Sequence, residues 1–331
     1  MEPAAPDFLA PRPLGRSGIL VTPVGLGCWQ FSKGHGLPGK YWTTLDDAQI
    51  RGIVAAALAG GINWFDTAEG YGRGESERAL AGSLRDLGRL PGEIVIATKW
   101  TPFLRRASSI PGTIQARLAN LAPFPIDLHQ IHNPLSFSPV ESQVEAMARL
   151  VEAGKIRSVG VCNFSRRLME KAHRALEKHG LPLVSNQVRY SLLDRTIETS
   201  GVLEGAREIG TTIIAYSPLA QGVLSGRFHD DPGLVRRLPG FRKFMPGFQP
   251  RGLAKSRPVV ETLRRMAPEY GATPVQVALN WIITRAGDTV VAIPGASSPG
   301  QVADFVAAMA FRLSDGDQEE LDSVSAPFKG P

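Results

Sequence analysis

Eight short apolar runs recur along the chain with helical patterns between them: Gly25 to Phe31, Ile62 to Asp66, Ile94 to Lys99, Leu128 to His132, Ser158 to Phe164, Val184 to Tyr190, Thr211 to Ser217 and Thr289 to Gly295. Near-continuous hydrophobicity marks a strand covered on both faces, and strands that alternate with helices pair in parallel. Eight such units predict an α/β fold, a closed (β/α)8 TIM barrel, rather than an open doubly wound sheet. No Gly-x-Gly-x-x-Gly follows the first run, so the turn that a Rossmann domain uses for dinucleotide phosphates is missing.

The segments between the runs carry helix signals. Thr44 to Asp47 reads as an N-cap, and Ser138-Pro139-Val140-Glu141, Thr273-Pro274-Val275-Gln276 and Ser298-Pro299-Gly300-Gln301 each place a hydroxyl at the cap and proline at the first helical position. Gly60-Gly61 and Gly154 stand where helices should stop. Pro13 to Val21, two apolar pieces around Gly15 and Gly18, predicts a small hairpin that plugs the barrel. The organisation expected is a flexible tail over residues 1–12 and a single barrel domain over 13–331. After the seventh run, Ser225 to Arg257 breaks the rhythm with Pro, Gly, Phe241, Phe244, Phe248 and a cluster of Arg and Lys. A long loop after strand 7 is expected there, a mobile cover over the mouth whose cations suit a phosphorylated ligand.

Chemistry-bearing residues gather just past consecutive runs: Asp66, Tyr71 one short loop later, Lys99 and His132. Taken singly, the aspartate caps a turn, the lysine is solvated and the histidine is structural. In a parallel barrel, however, every strand's C-terminal end opens on one face, so the four converge. A phenol with an ordinary pKa of about 10 is a poor proton donor near neutrality unless a cation stabilises its phenolate. Lys99 is that cation, and Asp66 supplies the counter-charge a buried ammonium needs. A Schiff-base lyase built on Lys99 is the competing reading; pairing with Asp66 keeps the amine protonated and counts against it.

Composition narrows the classes. Lys and Arg number 37 against 31 Asp and Glu, a net charge of +6 spread along 331 residues, with no basic module interleaved with aromatics; no nucleic-acid partner is expected. Two cysteines, Cys28 and Cys162, give neither a disulfide framework nor a metal-ligand spacing, which suits a reducing cytoplasm and predicts no metal site. Met1 to Pro13 carries Glu2 and Asp7 and lacks the basic start and apolar core of a signal peptide, and no run is long enough to span a bilayer, so no membrane association is expected. Trp29, Phe31 and Trp100 near strand ends suggest an aromatic-lined pocket for apolar carbonyls or sugar faces.

Asp66-Thr67-Ala68-Glu69-Gly70-Tyr71-Gly72, Ala97-Thr98-Lys99 and Gln130-Ile131-His132-Asn133-Pro134 occur in this order at three successive strand ends, and the set resembles the aldo-keto reductases. The likeness runs from about Pro13 to Val324. It implies that Tyr71 is the proton donor, that Lys99 and Asp66 tune it, that His132 orients the carbonyl, and that a nicotinamide cofactor lies across the barrel mouth near Cys28 and Trp29. Gly160-Val161-Cys162-Asn163-Phe164 is similar to the segment whose Ser-Asn pair holds the carboxamide, with Cys162 in place of serine and with Asn163 and Gln187 retained. A thiol is the weaker donor, and packed core is an equal reading of Cys162. Tyr216 to Gly222 resembles the stretch in which an aromatic stacks under the nicotinamide while Ser217 and Leu219 follow the pyrophosphate; Arg227 continues it.

Gly295, Ser297, Ser298 and Gln301 align with the adenosine-phosphate site, where many members carry Lys and Arg and an asparagine in place of Phe305. That pattern resembles the potassium-channel β-subunit-like branch, and Ser298 with Gln301 doubles as a capping box. The resemblance implies NADP(H) over NAD(H), with NAD(H) possible, and a small-molecule aldehyde, ketone or sugar substrate. The alternative it carries is a cofactor-binding regulatory subunit with little turnover.

Overall fold

The computed structural model describes residues 9–36 and 40–330. Eight parallel strands form one sheet in chain order: β3 (Leu26–Gly27), β4 (Trp64–Asp66), β5 (Val95–Trp100), β6 (Leu128–Ile131), β7 (Ser158–Cys162), β8 (Leu183–Arg189), β9 (Thr212–Tyr216) and β10 (Val290–Ile293). The two ends of the sheet meet. Gly25 N–H donates to Ala292 O at 2.8 Å and Gly27 N–H to Pro294 O at 3.0 Å, and single bridges join Val24 to Ala292 and Gly27 to Gly295. Glycine is required for that approach, because a Cβ on Gly27 would lie 2.9 Å from Ile293 O. The result is a nearly closed (β/α)8 barrel.

Ahead of it, β1 (Arg12–Pro13) and β2 (Leu20–Val21) pair antiparallel. The hairpin's Leu14, Ile19 and Val21 pack with Trp64, Ala97, Leu128, Val184, Ile214 and Val291 in one buried cluster, which stoppers the lumen as the sequence predicts. Since side chains two residues apart share a strand face, the positions directly above Trp64, Ala97 and Leu128 are Asp66, Lys99 and Gln130. An apolar floor therefore carries a polar layer that faces the mouth. A second, larger cluster fills the space between the strands and the surrounding helices.

Several expectations change in detail. The tail expected over residues 1–12 lies outside the described residues for 1–8, and residues 9–12 are held: Leu9 N–H donates to Met309 O, and the buried Arg12 guanidinium donates to Gly287, Val290 and Ile283 carbonyls. The first run yields a strand of only Leu26–Gly27, because Cys28 turns out of the sheet into a 3-10 helix, Trp29–Ser32. Asp46 caps Asp47–Ala59, and Thr273 caps Pro274–Arg285 with a full capping box. The helix Val140–Glu152 instead begins after Pro139, and the Ser138 hydroxyl accepts from Ala107 N–H in the preceding loop.

The segment after β9 is not one long structureless loop. It folds as 3-10 turns at Pro232–Arg237, Arg242–Phe244 and Pro246–Phe248 around an apolar cluster of Val223, Phe228, Leu238, Phe248 and Leu253, and its last part opens the helix Pro250–Met266. Among the described residues no helix is long and apolar enough to cross a membrane, and no group of His, Cys, Asp and Glu is placed to hold a metal.

Candidate active site

Asp66 ends β4 and Lys99 lies one residue from the end of the neighbouring β5, so strand pairing alone brings them together. Both are buried: the Lys99 ammonium forms an ion pair with Asp66 and donates to Thr67 O at 2.8 Å. Its third neighbour is the Tyr71 hydroxyl at 3.5 Å. Burial opposes the charge on Lys99, but Asp66, with Tyr71 and Cys162 adding to it, holds the amine above its ordinary pKa. On Tyr71 the outcome runs against the tuning expected from the sequence: burial wins over Lys99, and the phenol is pushed up to about 12 rather than down. His132, beyond β6, meets the Tyr71 ring edge-on with centroids 5.7 Å apart; burial and Lys99 push it down to about 3, so it is neutral near pH 7.

The loop that presents Tyr71 is pinned from both sides. Ser76 Oγ donates to Cys28 O and sits 2.8 Å from Thr67 Oγ1. Glu69 accepts from Thr101 N–H and pairs with Arg105 and Arg117, and Arg117 also pairs with buried Glu77 at 2.7 Å. Gly72 makes the turn at φ +65°, where a Cβ would lie 2.7 Å from Ser32 O.

Sequence reasoning missed Gln130. From the middle of β6 it donates through Nε2 to Asp66 Oδ2 at 3.0 Å, beside a second donor to the same oxygen, Gln187 Nε2 at 2.9 Å. The Cys162 thiol points at Gln130 Oε1, 3.6 Å away. The two glutamines thus occupy Asp66 Oδ2, while Lys99 takes Oδ1. The available signal was the period of two: Gln130 follows Leu128 on the inward face, and a polar residue inside a strand buried on both sides needs a partner.

Above this layer opens a cavity of about 1010 Å³. Of the residues expected at a cofactor, Cys28, Trp29, Asn163, Gln187, Tyr216, Ser217, Leu219, Arg227, Gly295, Ser297 and Gln301 line it, together with Asp66, Tyr71 and His132. Cys162 and Ser298 do not: the first is 1% exposed in the polar layer, and the second caps the helix Pro299–Ala307 by accepting from Gln301 N–H. The capping box there is incomplete, since Gln301 Oε1 accepts from Ser297 N–H at 2.7 Å. Tyr41, Trp42, Arg189, Arg237 and Arg242 also reach the wall. Arg189 closes β8, Tyr41 and Trp42 come from a loop, and Arg237 and Arg242 from 3-10 turns of the basic segment, where no local pattern tells which cations face inward.

The wall fits an elongated anionic cofactor. Tyr216 holds its hydroxyl on Asn163 Oδ1 at 3.0 Å, with the Arg189 guanidinium 5.9 Å from its ring centre. Ser217, Ala220 and Gln221, in the following turn, all take positive φ. Such strain costs about 1–3 kcal/mol per residue and gathers at functional sites. Arg227 and Arg237 line the cavity without a carboxylate partner among the described residues.

Comparison with known proteins agrees with this geometry. The model of the "Aldo/keto reductase family" matches residues 23–326. The chain is similar to an uncharacterised oxidoreductase of Mycobacterium tuberculosis (38% identity, covering 93% of this chain and 91% of the relative). It is also similar to the chloroplastic pyridoxal reductase of Arabidopsis thaliana (34% identity, covering 92% and 83%). The structure of a glycerol dehydrogenase from Gluconobacter oxydans superposes with a TM-score of 0.80 at 27% identity, over 99% of this chain and 98% of that one. Members of this family use nicotinamide cofactors and act on small carbonyl compounds. The chain belongs to the aldo/keto reductase family and is an NAD(P)H-dependent oxidoreductase.

Proposed function

We propose that this protein reduces aldehydes or ketones to alcohols with NADP(H), and that Tyr71 donates the proton. The observation that carries the reading is the chain Asp66, Lys99, Tyr71, closed by the 3.5 Å approach of Lys99 Nζ to the phenol, at the floor of a cavity lined by residues able to hold a dinucleotide. When bound, the cofactor supplies a hydride to the carbonyl carbon. The protein's part is to hold the carbonyl oxygen at the Tyr71 hydroxyl. As negative charge develops on that oxygen the phenol gives up its proton, and the phenolate left behind is stabilised by the ammonium beside it. Neutral His132, alongside, orients the same oxygen by hydrogen bonding without competing for its charge.

Asn163 and Gln187 are the residues placed to hold the carboxamide, Tyr216 to stack on the nicotinamide, and Ser217 and Leu219 to follow the pyrophosphate. Ser297, Gln301 and Gly295 are assigned to the adenosine, and Arg227 and Arg237 line the same cavity as cations without a carboxylate partner among the described residues. The preference for NADP(H) rests on the two arginines, because a 2′-phosphate needs cationic or multiple hydrogen-bond partners to offset its desolvation. A steady-state assay with 4-nitrobenzaldehyde and either NADPH or NADH tests the reading. NADPH consumption with alcohol formation, at a higher kcat/KM than with NADH, is the expected result; tight NADPH binding without turnover would overturn it.

A further inference from the structure

Arg242 is a buried cation with nothing to neutralise it. It is 5% exposed and lines the cavity, with its guanidinium carbon 4.2 Å from the Trp42 ring centre and 5.7 Å from that of Phe248. Nη2 donates to Gln221 O at 2.8 Å, whereas Nε has no partner and no carboxylate pairs with the group among the described residues. Burial, with Arg227 nearby, pushes it down to about 10. A buried charge without a counter-ion is unfavourable, and an anion arriving from outside would complete the arrangement.

The surroundings say with what. From Tyr71 a wall of rings leads to Arg242: Trp29 stacks on Tyr71 with centroids 5.8 Å apart and planes 18° from parallel, Trp42 meets Trp29 edge-on at 5.7 Å, and Arg242 lies over Trp42. Tyr41 backs Trp29 at 4.9 Å and fixes its hydroxyl on Gln221 Oε1. Such a wall accommodates a flat ring, with an acceptor for the phenol at one end and an anion for the guanidinium at the other. We propose that Arg242 is a specificity residue for aromatic carbonyl substrates that carry a carboxylate or phosphate group at the end remote from the reacting carbonyl. This rests on the reading that the carbonyl sits at Tyr71.

The test is a binding measurement on the NADPH-loaded protein with unreactive probes: 4-carbamoylbenzoate and the longer 4-carbamoylcinnamate, each against its methyl ester. At one of the two lengths the acid should bind about tenfold tighter than its ester or more, the range of a charge-assisted hydrogen bond. In Arg242→Gln that ratio should fall to about one, with NADPH affinity unchanged. Equal binding of acid and ester at both lengths overturns the proposal. So does an Arg242→Gln protein that keeps the ratio and loses NADPH, which would assign the arginine to the cofactor's pyrophosphate. If that variant does not fold, the wild-type ratio decides. Because the probes do not turn over, failure of carbonyl reduction itself shows separately in the NADPH assay.

Discussion

The Lys99 ammonium stands 3.5 Å from the Tyr71 hydroxyl and is anchored on its other side by Asp66 and by Thr67 O. The cation is thus fixed before any substrate arrives, and its charge is available to the phenol when the proton leaves. Lys99→Met removes it. We expect kcat to fall by about 10²–10⁴, the usual range for a general acid–base contribution, with a smaller change in the NADPH dissociation constant; steady-state kinetics and cofactor titration check this.

The raised Tyr71 pKa fixes the pH behaviour. Reduction needs the protonated phenol, which predominates up to about pH 12, so its rate should not fall through loss of the Tyr71 proton between pH 6 and 9. Alcohol oxidation needs the phenolate, whose fraction grows about tenfold per pH unit below that pKa, so its rate should climb over the same interval. His132, pushed down to about 3, contributes no step there. Profiles of kcat/KM in both directions test the pair of slopes, and a reduction rate that declines from pH 6 would contradict the assignment.

Cys162→Ser separates two roles for one position. The sequence resemblance puts this residue on the carboxamide, whereas the structure aims its thiol at Gln130 Oε1 beneath the cavity. A hydroxyl is the better donor, so the substitution should stabilise the fold by about 1 kcal/mol or less and leave NADPH affinity within about twofold. Thermal unfolding and fluorescence titration of the same variant read both quantities; a markedly tighter cofactor would return Cys162 to the binding wall.

Arg227→Ala and Arg237→Ala should each weaken NADPH binding by about tenfold or more while sparing NADH, the expected loss for a charge-assisted contact to phosphate. The difference should shrink at high salt, since partly exposed charges are screened over about 8–10 Å near physiological ionic strength. Dissociation constants for both cofactors at two salt concentrations give the answer, and equal affinity throughout would show that no 2′-phosphate is read.

What was legible follows from the geometry. Asp66 ends its strand, Lys99 lies one residue before the end of the next and His132 just beyond a third, and a parallel barrel gathers such ends on one rim, so sequence order sufficed to group them with Tyr71. Gln130 was hidden because it lies within a strand, where the eye reads core; only its partnership with Asp66 and Gln187 makes it part of the site. Ser298 stands at a helix start, where cap and phosphate ligand use the same hydroxyl, and in the fold it accepts from Gln301 N–H as the cap. Tyr41 and Trp42 were out of reach, and Arg242 is legible only as one cation of the basic segment over the mouth, because its contact with Trp42 joins two segments far apart in the chain and no local pattern sets their approach. The basic stretch around Arg236 is plain in the sequence, but which of its cations face inward depends on the small apolar cluster of Leu238, Phe248 and Phe228 that orients the segment.

The most direct test of the central claim is single-turnover reduction of an aromatic aldehyde by NADPH-loaded wild type and Tyr71→Phe, with the cofactor dissociation constant measured on both. Loss of the hydroxyl should slow the chemical step by about 10²–10⁴ and leave NADPH affinity within about twofold, because only the proton is removed. A Tyr71→Phe protein that turns over at the wild-type rate would contradict the account.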